Sequence, residues 1–325
     1  MIGKHMKPQL SESPALSLAL SISSCAEVCK ALQDGSHDCH EVVNWQAGQW
    51  APKIDSLVGS PMHRPEAWTG DLERAPIIFL SSNPSFDAME NFPSWDTKSW
   101  SDEDISDFGA NRFSNDAGRR FGATDGPRLV DADKTIGKDG NLSGQVKHWR
   151  WVRSFAAMVL NKPIADTSAI SDFVMTELVH CKSPHEEGVI QAMETCKEKW
   201  LDQILKISPA RLIFVAGAKT GMDFARMYPD DLPATWGKWA NDKNGKGKGF
   251  WPKSAEELKA AKSSGAWDFD PHQKLNSHSM SIAGMNRTVI YISRPSPGGP
   301  IYAPWNHPDL VDPLLLDYWR SKIGF

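Results

Sequence analysis

Four short runs of apolar residues, rich in β-branched side chains, constrain the fold of this chain more than any other feature. Each run is bounded by turn or helix-start residues, a pattern typical of buried strands. Because the runs are apolar on both faces, they indicate a parallel sheet covered by helices. We therefore predict an α/β fold, a three-layer α/β/α sandwich with a central four-stranded parallel sheet. The runs are PIIFLSS at 76–82, FVMTELVH at 173–180, RLIFVAG at 211–217 and TVIYIS at 288–293.

The segment between the second and third runs predicts one long helix. Ser183 is a natural N-cap, Pro184 suits the first helical position, and Glu186 completes a capping box three residues after the cap. A helix of roughly 22 residues between two strands makes a right-handed crossover. One apolar face recurs at helical spacing, at Val189, Met193, Cys196, Trp200 and Ile204.

We predict a helical N-terminal extension over residues 1–70, packed on an α/β/α domain at 71–325 with insertions near 90–107 and 222–285. Residues 90–107 contain six acidic side chains and one lysine, which predicts a water-facing loop that repels phosphate. Residues 238–262 contain seven lysines and three acids. That stretch is either a solvated loop or an arm whose Lys246 and Lys248 contact phosphate.

The composition narrows the class of protein. The net charge of −4 argues against a protein that coats polyanions, so any nucleic-acid contact is local. The mean hydropathy is −0.43, and we expect no apolar run near the length of a membrane span. Serines interrupt the N-terminal SPALSLALSISSC, which predicts a surface helix of a cytoplasmic protein. The five cysteines are an odd, sparse set, which disfavours a secreted disulfide scaffold.

Polar residues follow the predicted strands, where parallel sheets form their sites. The first strand ends in Ser82 and Asn83, and Pro84 keeps Asn83 extended. The second ends in Glu177, His180, Cys181 and Lys182, and the fourth in Arg294, Ser296, Pro297, Gly298 and Gly299. We therefore predict the functional site at this edge of the sheet.

These residues resemble the motifs of one family, the uracil-DNA glycosylase superfamily. SSNPS at 81–85 resembles its G-x-N-P-G motif, and RPSPGG at 294–299 resembles its H-P-S-P motif. TELVHCKSP, a cysteine 15 positions after Cys181 and then LIFVAG are similar to a succession found in its iron–sulfur branch. Phe113, Ala117 and Gly118 match the element that carries the base-stacking aromatic. The resemblance covers about residues 76–300, in the right order.

The resemblance implies a monofunctional glycosylase that flips a uracil, or another deaminated or damaged base, out of DNA and hydrolyses its N-glycosidic bond with water. Asn83 cannot titrate but can orient that water; its other interpretation is a turn residue that ends the strand. Arg294 would place a cation near the leaving base or a phosphate, or form a surface salt bridge. Further contacts are implied to the base by Ser82, Phe113, Glu177 and His180, and to the minor groove by Ser296, Pro297 and Gly298.

Glu177 stands where the family has a uracil-reading asparagine. A carboxylate offers only acceptors and repels uracil O4, so we expect a broader range of bases, including hypoxanthine. Three arrangements remain open. Burial keeps Glu177 protonated, or it pairs with Arg294 or Lys182, or it faces the helix layer and the alignment is off by one residue.

The resemblance also implies a [4Fe–4S] cluster, which needs four thiolates. Its ligands would be Cys25, Cys29, Cys181 and Cys196. The spacing of Cys25 and Cys29 differs from the family's, but on one helix both sulfurs still share a face. The alternative is that these cysteines are ordinary core residues.

We expect the chain to act as a monomer on uracil-containing DNA, single- or double-stranded. One rival is a catalytically silent DNA-binding member of the same fold. Another is a small-molecule α/β hydrolase, although the G-x-S-x-G motif is missing. H-E-x-x-H is also missing, which disfavours catalytic zinc.

Overall fold

The computed structural model describes most of the predicted sheet and its helices. The described residues are 13–45, 62–84, 92–95, 100–111, 128–130, 134–136, 142–145, 147–168, 171–183, 186–232, 236, 263, 277–292 and 313–324.

The core is a mostly parallel sheet with helices, which confirms the α/β prediction. Four strands, Ile77–Ser81 (β1), Val174–Glu177 (β5), Leu212–Ala216 (β6) and Met285–Ile292 (β8), run parallel in the order β5-β1-β6-β8. The register pairs Ile78 with both Val174 and Ile213. β1, β5 and β6 lie inside predicted runs, and β8 overlaps the fourth run. Strands that are buried on both faces have continuous apolar sequences, which makes them recognisable.

The predicted strand number of four is wrong, because the sheet has a fifth, antiparallel edge strand. Ser277–Ile282 (β7) forms a hairpin with β8 through Ala283 and Gly284, which have φ of 52° and 78°. Its serines alternate with buried residues such as Met280, so it lacks a continuous apolar run. A separate antiparallel sheet, also not predicted, contains Arg128–Val130 (β2), Lys134–Ile136 (β3) and Leu142–Gln145 (β4).

Helices cover both faces of the sheet. Ile77 and Phe79 of β1 face the layer of Lys147–Leu160 (α5) and Pro313–Ile323 (α9). The alternate residues Ile78 and Leu80 face the layer that includes the N-terminal helices. The helices of that layer are Pro14–Ser23 (α1), Ala26–Gln33 (α2), His40–Asn44 (α3), Val189–Cys196 (α6), Asp202–Ile207 (α7) and Ala218–Met227 (α8).

The long helix after β5 begins later than predicted. It starts at Val189, and Gly188 with φ of 71° precedes it. The capping box is wrong, because the Ser183 hydroxyl donates to the Glu187 carbonyl and Glu186 has a left-handed φ of 61°. The helix continues through a π-helical turn at Lys197–Leu201 into α7. Its apolar face is buried as predicted.

The acidic segment 90–107 is not simply a water-facing loop. Its described part includes a helix, Asp102–Asn111 (α4), with acidic residues in its first turn, where they complement the helix dipole. Phe92, Ile105 and Phe108 are buried, and the Phe92 and Phe108 rings meet edge to face at 5.1 Å. The prediction considered only the charges and overlooked the aromatic residues between them.

The N-terminal segment forms two helices on the core. α1 begins at the N-cap Ser13, and the chain leaves the helical path at Ser24 and Cys25 before α2. By length and composition alone, Pro14–Gln33 would suffice to cross a membrane. The expectation that no run reaches this length was therefore wrong, since serines weigh little against an apolar window. In the structure, Leu18 and Ile22 pack into the core.

Candidate functional site

The order of the strands locates a crevice. The chain passes from β1 to β5 on one side and later returns to β6 on the other side of β1. In open parallel sheets, ligands bind where the order reverses in this way, beyond the carboxyl ends of the strands. The residues that follow β1 and β6 therefore define the candidate site.

The chain leaves β1 and β5 as a paired ribbon. The register places Ser81 opposite Glu177, and the pairing continues beyond the strands. The Leu178 amide donates to the Ser81 carbonyl at 2.9 Å, and the Val179 amide to the Ser82 carbonyl at 3.0 Å. This backbone pairing brings Ser82 and Asn83 against the residues that follow Cys181.

Asn83 is half-buried, and its amide nitrogen is held firmly. Nδ2 donates to Ser183 Oγ at 3.0 Å, to the Ser183 carbonyl at 3.2 Å and to the Pro84 carbonyl at 3.2 Å, with a longer contact to the Cys181 carbonyl at 3.4 Å. Three carbonyl oxygens around one atom identify it as the nitrogen of the amide. Within the described residues, Oδ1 has no hydrogen-bond partner. The side chain therefore presents a fixed acceptor.

Ser82 begins a second network that crosses the crevice. Its hydroxyl is buried and donates to Glu186 Oε1. Glu186 Oε2 lies 3.2 Å from Lys219 Nζ, and Lys219 also donates to the Glu186 carbonyl at 3.2 Å. Lys219 belongs to the first turn of α8, directly after β6. The network thus joins the end of β1, the segment before α6 and the end of β6.

A buried carboxylate lies one turn along the same helix. Asp223 is 1% exposed, and Arg226 Nη1 lies 2.8 Å from its Oδ1. Burial raises the pKa of Asp223, against the opposing effect of Arg226 and Lys219. Its Oδ2 has no hydrogen-bond partner among the described residues.

The sequence prediction included Ser82 and Asn83 but missed Glu186, Lys219 and Asp223 as site residues. Two signals could have found them. Lys219 directly follows the third predicted strand, whose end had not been considered. Glu186 fits the pattern of a capping box, which predicts a contact within its own helix. The side chain instead contacts Ser82 and Lys219 beyond the end of the second strand.

Glu177 lies at the carboxyl end of β5 and is 4% exposed. Strand alternation places it on the face of Phe173 and Met175, which pack in the layer of α5 and α9. Lys182, one of its proposed partners, forms an ion pair with Glu66 at 3.0 Å.

His180 is not one of the described hydrogen-bond partners of Asn83. It is 1% exposed, and Nδ1 is 2.7 Å from the Glu66 carbonyl. Burial lowers the pKa of His180 to about 4, so the ring is neutral near pH 7 and Nδ1 carries the donated proton. The ring lines a cavity that also contains cysteines.

Four buried cysteines line that cavity, but they are not the four predicted. Cys25, Cys39, Cys181 and Cys196 line it, whereas Cys29 is exposed. The sequence pattern predicts that Cys25 and Cys29 are neighbours on one helix. Cys25 is instead the non-helical N-cap of α2, with ψ of 118°, so the expected shared face is absent.

The four thiols form an apolar, electrostatically coupled group. Burial raises the pKa of Cys39 and of Cys196 to about 12, and raises that of Cys181 as well. The neighbouring thiols contribute in the same direction. The cavity between them has a volume of about 10 Å³, and no three described His, Cys, Asp or Glu side chains meet closely enough to hold one metal ion. A [4Fe–4S] cluster binds one thiolate at each iron, so its ligands stand farther apart than those of one ion.

The remaining predicted site residues lie outside the described part of the chain. They are Phe113, Arg294, Ser296, Pro297, Gly298, Lys246 and Lys248.

No protein-family model matches this chain, and no curated protein matches it either.

Proposed function

We propose that this chain is a monofunctional DNA glycosylase of the uracil-DNA glycosylase type. It hydrolyses the N-glycosidic bond of uracil, or of another deaminated base, in DNA. The observation that carries the proposal is the arrangement of Asn83, whose amide nitrogen is held by Ser183 and backbone carbonyls while Oδ1 keeps its acceptor capacity.

The arrangement suits the demands of the reaction. Cleavage passes through an oxocarbenium-like sugar, and a water must approach C1′ with a lone pair aimed at it. A fixed amide oxygen that accepts a hydrogen bond from the water turns a lone pair of the water toward the sugar. Because Asn83 is held before the substrate arrives, little reorganisation is needed during the reaction. Asn83 acts here by position and not by titration.

The test uses a labelled oligonucleotide with one uracil, followed by alkali to break the abasic site. The native protein should produce a cleaved product only after alkali, as expected without lyase chemistry. Asn83→Ala should lose this product, whereas Asn286→Ala, an exposed asparagine at the start of β8, should retain it. A native protein that leaves uracil, hypoxanthine and thymine mismatches uncut would contradict the proposal.

We propose further that Cys25, Cys39, Cys181 and Cys196 hold a [4Fe–4S] cluster. The donor set fits in kind and number, because four buried thiols line one cavity and a [4Fe–4S] cluster needs four thiolates. The cavity of about 10 Å³ is smaller than a cluster, so binding would require the thiols to move apart. Binding would require the thiols to lose their protons, which the raised pKa values of Cys39, Cys181 and Cys196 oppose and the iron charge favours. When bound, the cluster supplies cross-links between α2, α3, the end of β5 and α6.

Cys29 provides a matched control for the cluster. Protein prepared without oxygen should be brown, with broad visible absorbance and bound iron. Cys39→Ser should lose both colour and iron, and Cys29→Ser should keep them. If Cys29→Ser loses the colour and Cys39→Ser keeps it, the ligand set predicted from sequence is the right one. Folded protein without colour would contradict the cluster.

A further inference from the structure

Hydrolysis at Asn83 requires a group that takes the proton of the water, because an amide cannot do so. Among the described residues, one carboxylate is hydrogen-bonded to the residue directly before Asn83. That carboxylate is Glu186, which accepts the hydroxyl proton of Ser82. The two successive residues that follow β1 thus contact the same segment of chain. Asn83 contacts Ser183, and Ser82 contacts Glu186.

The backbone of Glu186 is in a costly conformation. Its φ of 61° lies in the left-handed region, which glycine and asparagine adopt readily and glutamate does not. The other described non-glycine residues with positive φ are Asn161 and Ala283, and Ala283 belongs to a hairpin turn beside Gly284. Strained backbone of this kind clusters at functional sites, where surrounding contacts maintain it.

The contacts of Glu186 orient its carboxylate. Lys219 lies 3.2 Å from Oε2 and also donates to the backbone carbonyl of Glu186, so two atoms of the residue are fixed by one ammonium. The other oxygen, Oε1, faces Ser82. Among the residues that the structure describes, the charged groups that act on Glu186 are Lys219 and, one turn further on α8, the buried Asp223. At 23% exposure, the Glu186 side chain remains within reach of the crevice.

Resting on the proposed function, we propose that Glu186 is the base of this site and receives the water proton through the hydroxyl of Ser82. The water oxygen forms its bond to C1′ while the C1′–N bond breaks and its electron pair leaves with the base. The water proton passes to Ser82 Oγ as the Ser82 proton passes to Glu186 Oε1. The base anion then takes a proton from solvent, and Glu186 returns its proton to solvent. The existing direction of the Ser82–Glu186 hydrogen bond is the one that this transfer requires.

The left-handed backbone gives a variant that removes the carboxylate without endangering the fold. Glu186→Gly relieves the conformation and should leave the unfolding midpoint unchanged or higher. Its single-turnover excision rate should fall by at least about 100-fold, the usual size of a general-base contribution. Glu194→Gln, an exposed carboxylate on α6, is the matched control and should retain the native rate.

Chemical rescue separates a base from a structural contact. Added formate should restore the rate of Glu186→Gly by about tenfold or more, because a small carboxylate can occupy the vacated place. It should not restore Ser82→Ala or Asn83→Ala, which lack the relay hydroxyl and the water acceptor. A Glu186→Gly rate within threefold of the native rate, or a loss that formate leaves unchanged, would overturn this role while native excision stands. If the native protein excises no base at all, the proposed function and this role fail together.

Discussion

The chain between β5 and α6 contributes to both the crevice and the cysteine cavity. The crevice is held together by polar contacts, whereas the cavity is lined by buried thiols. In the crevice, Asn83 and Glu186 are part-exposed and their hydrogen bonds run between side chains and loop carbonyls. In the cavity, the thiols are buried, and burial raises the pKa of Cys181 and Cys196. The first arrangement holds polar side chains that water can reach. The second packs as an apolar part of the core.

The largest effect should come from the crevice. Asn83→Ala should lower the excision rate by about 10²–10³-fold, the cost of losing one preorganised polar group. The visible absorbance of the proposed cluster should stay unchanged, because Asn83 contacts the carbonyl of Cys181 and not its sulfur. Parallel measurement of rate and absorbance tests whether the two regions act separately. Loss of absorbance along with activity would show that Asn83 supports the cavity as well.

The next largest effect should come from Gly188, which connects the two regions. A Cβ on this residue would lie 2.3 Å from the backbone nitrogen of Val42 in α3, the helix that Cys39 precedes. Gly188 also has φ of 71°. Gly188→Ala should therefore lower the free energy of unfolding by about 2–4 kcal/mol, from strain and overpacking together.

Gly284 is the matched control for this change. Its φ is 78°, but a Cβ there would meet nothing within 4 Å. Gly284→Ala should cost only about 1 kcal/mol, the conformational part alone. Equal losses in the two variants, measured by denaturant unfolding, would show that α3 moves aside easily and that Gly188 does not set the distance between the regions.

The sequence was informative where a property depends on local pattern. The four buried strands follow from continuous apolar runs, and Asn83 follows from its place at the end of one of them. β7 could not be predicted in this way, because it is a partly exposed edge strand whose serines interrupt the apolar run. The helix start was misplaced because Ser183 and Glu186, which fit a capping box, make tertiary contacts instead.

The cysteine set could not be chosen from spacing alone. Cys25 and Cys29 satisfy helical spacing, but the chain bends at Cys25, and Cys39 reaches the cavity from the start of α3. Which of the five thiols meet is decided by how α2 and α3 pack on α6, a contact between segments that are far apart in the sequence. Lys219 and Glu186 likewise meet only through the sheet order.

A smaller effect concerns the choice of base. Glu177→Asn should raise the ratio of uracil to hypoxanthine excision by about tenfold, because an amide can both donate to O4 and accept from N3–H. The measurement is the pair of single-turnover rates on matched oligonucleotides. Glu177 faces the side of the sheet covered by α5 and α9. An unchanged ratio would therefore mean that Glu177 belongs to that layer and does not contact the base.

The smallest expected effect is on the stability of the crevice itself. Burial raises the pKa of Asp223 above its ordinary value of 3.8. The free energy of unfolding therefore falls as the pH rises above 3.8, because the buried side chain then ionises less readily than the unfolded one. Asp223→Asn imitates the protonated form, and its lost partner Arg226 is 59% exposed and contributes little. The variant should therefore raise the unfolding midpoint at pH 7 by up to about 2 °C. Below pH 3.8 the gain should vanish, because both folded and unfolded Asp223 are then protonated. A lower midpoint at pH 7 would instead show that the ion pair with Arg226 stabilises the fold by more than the burial of Asp223 destabilises it.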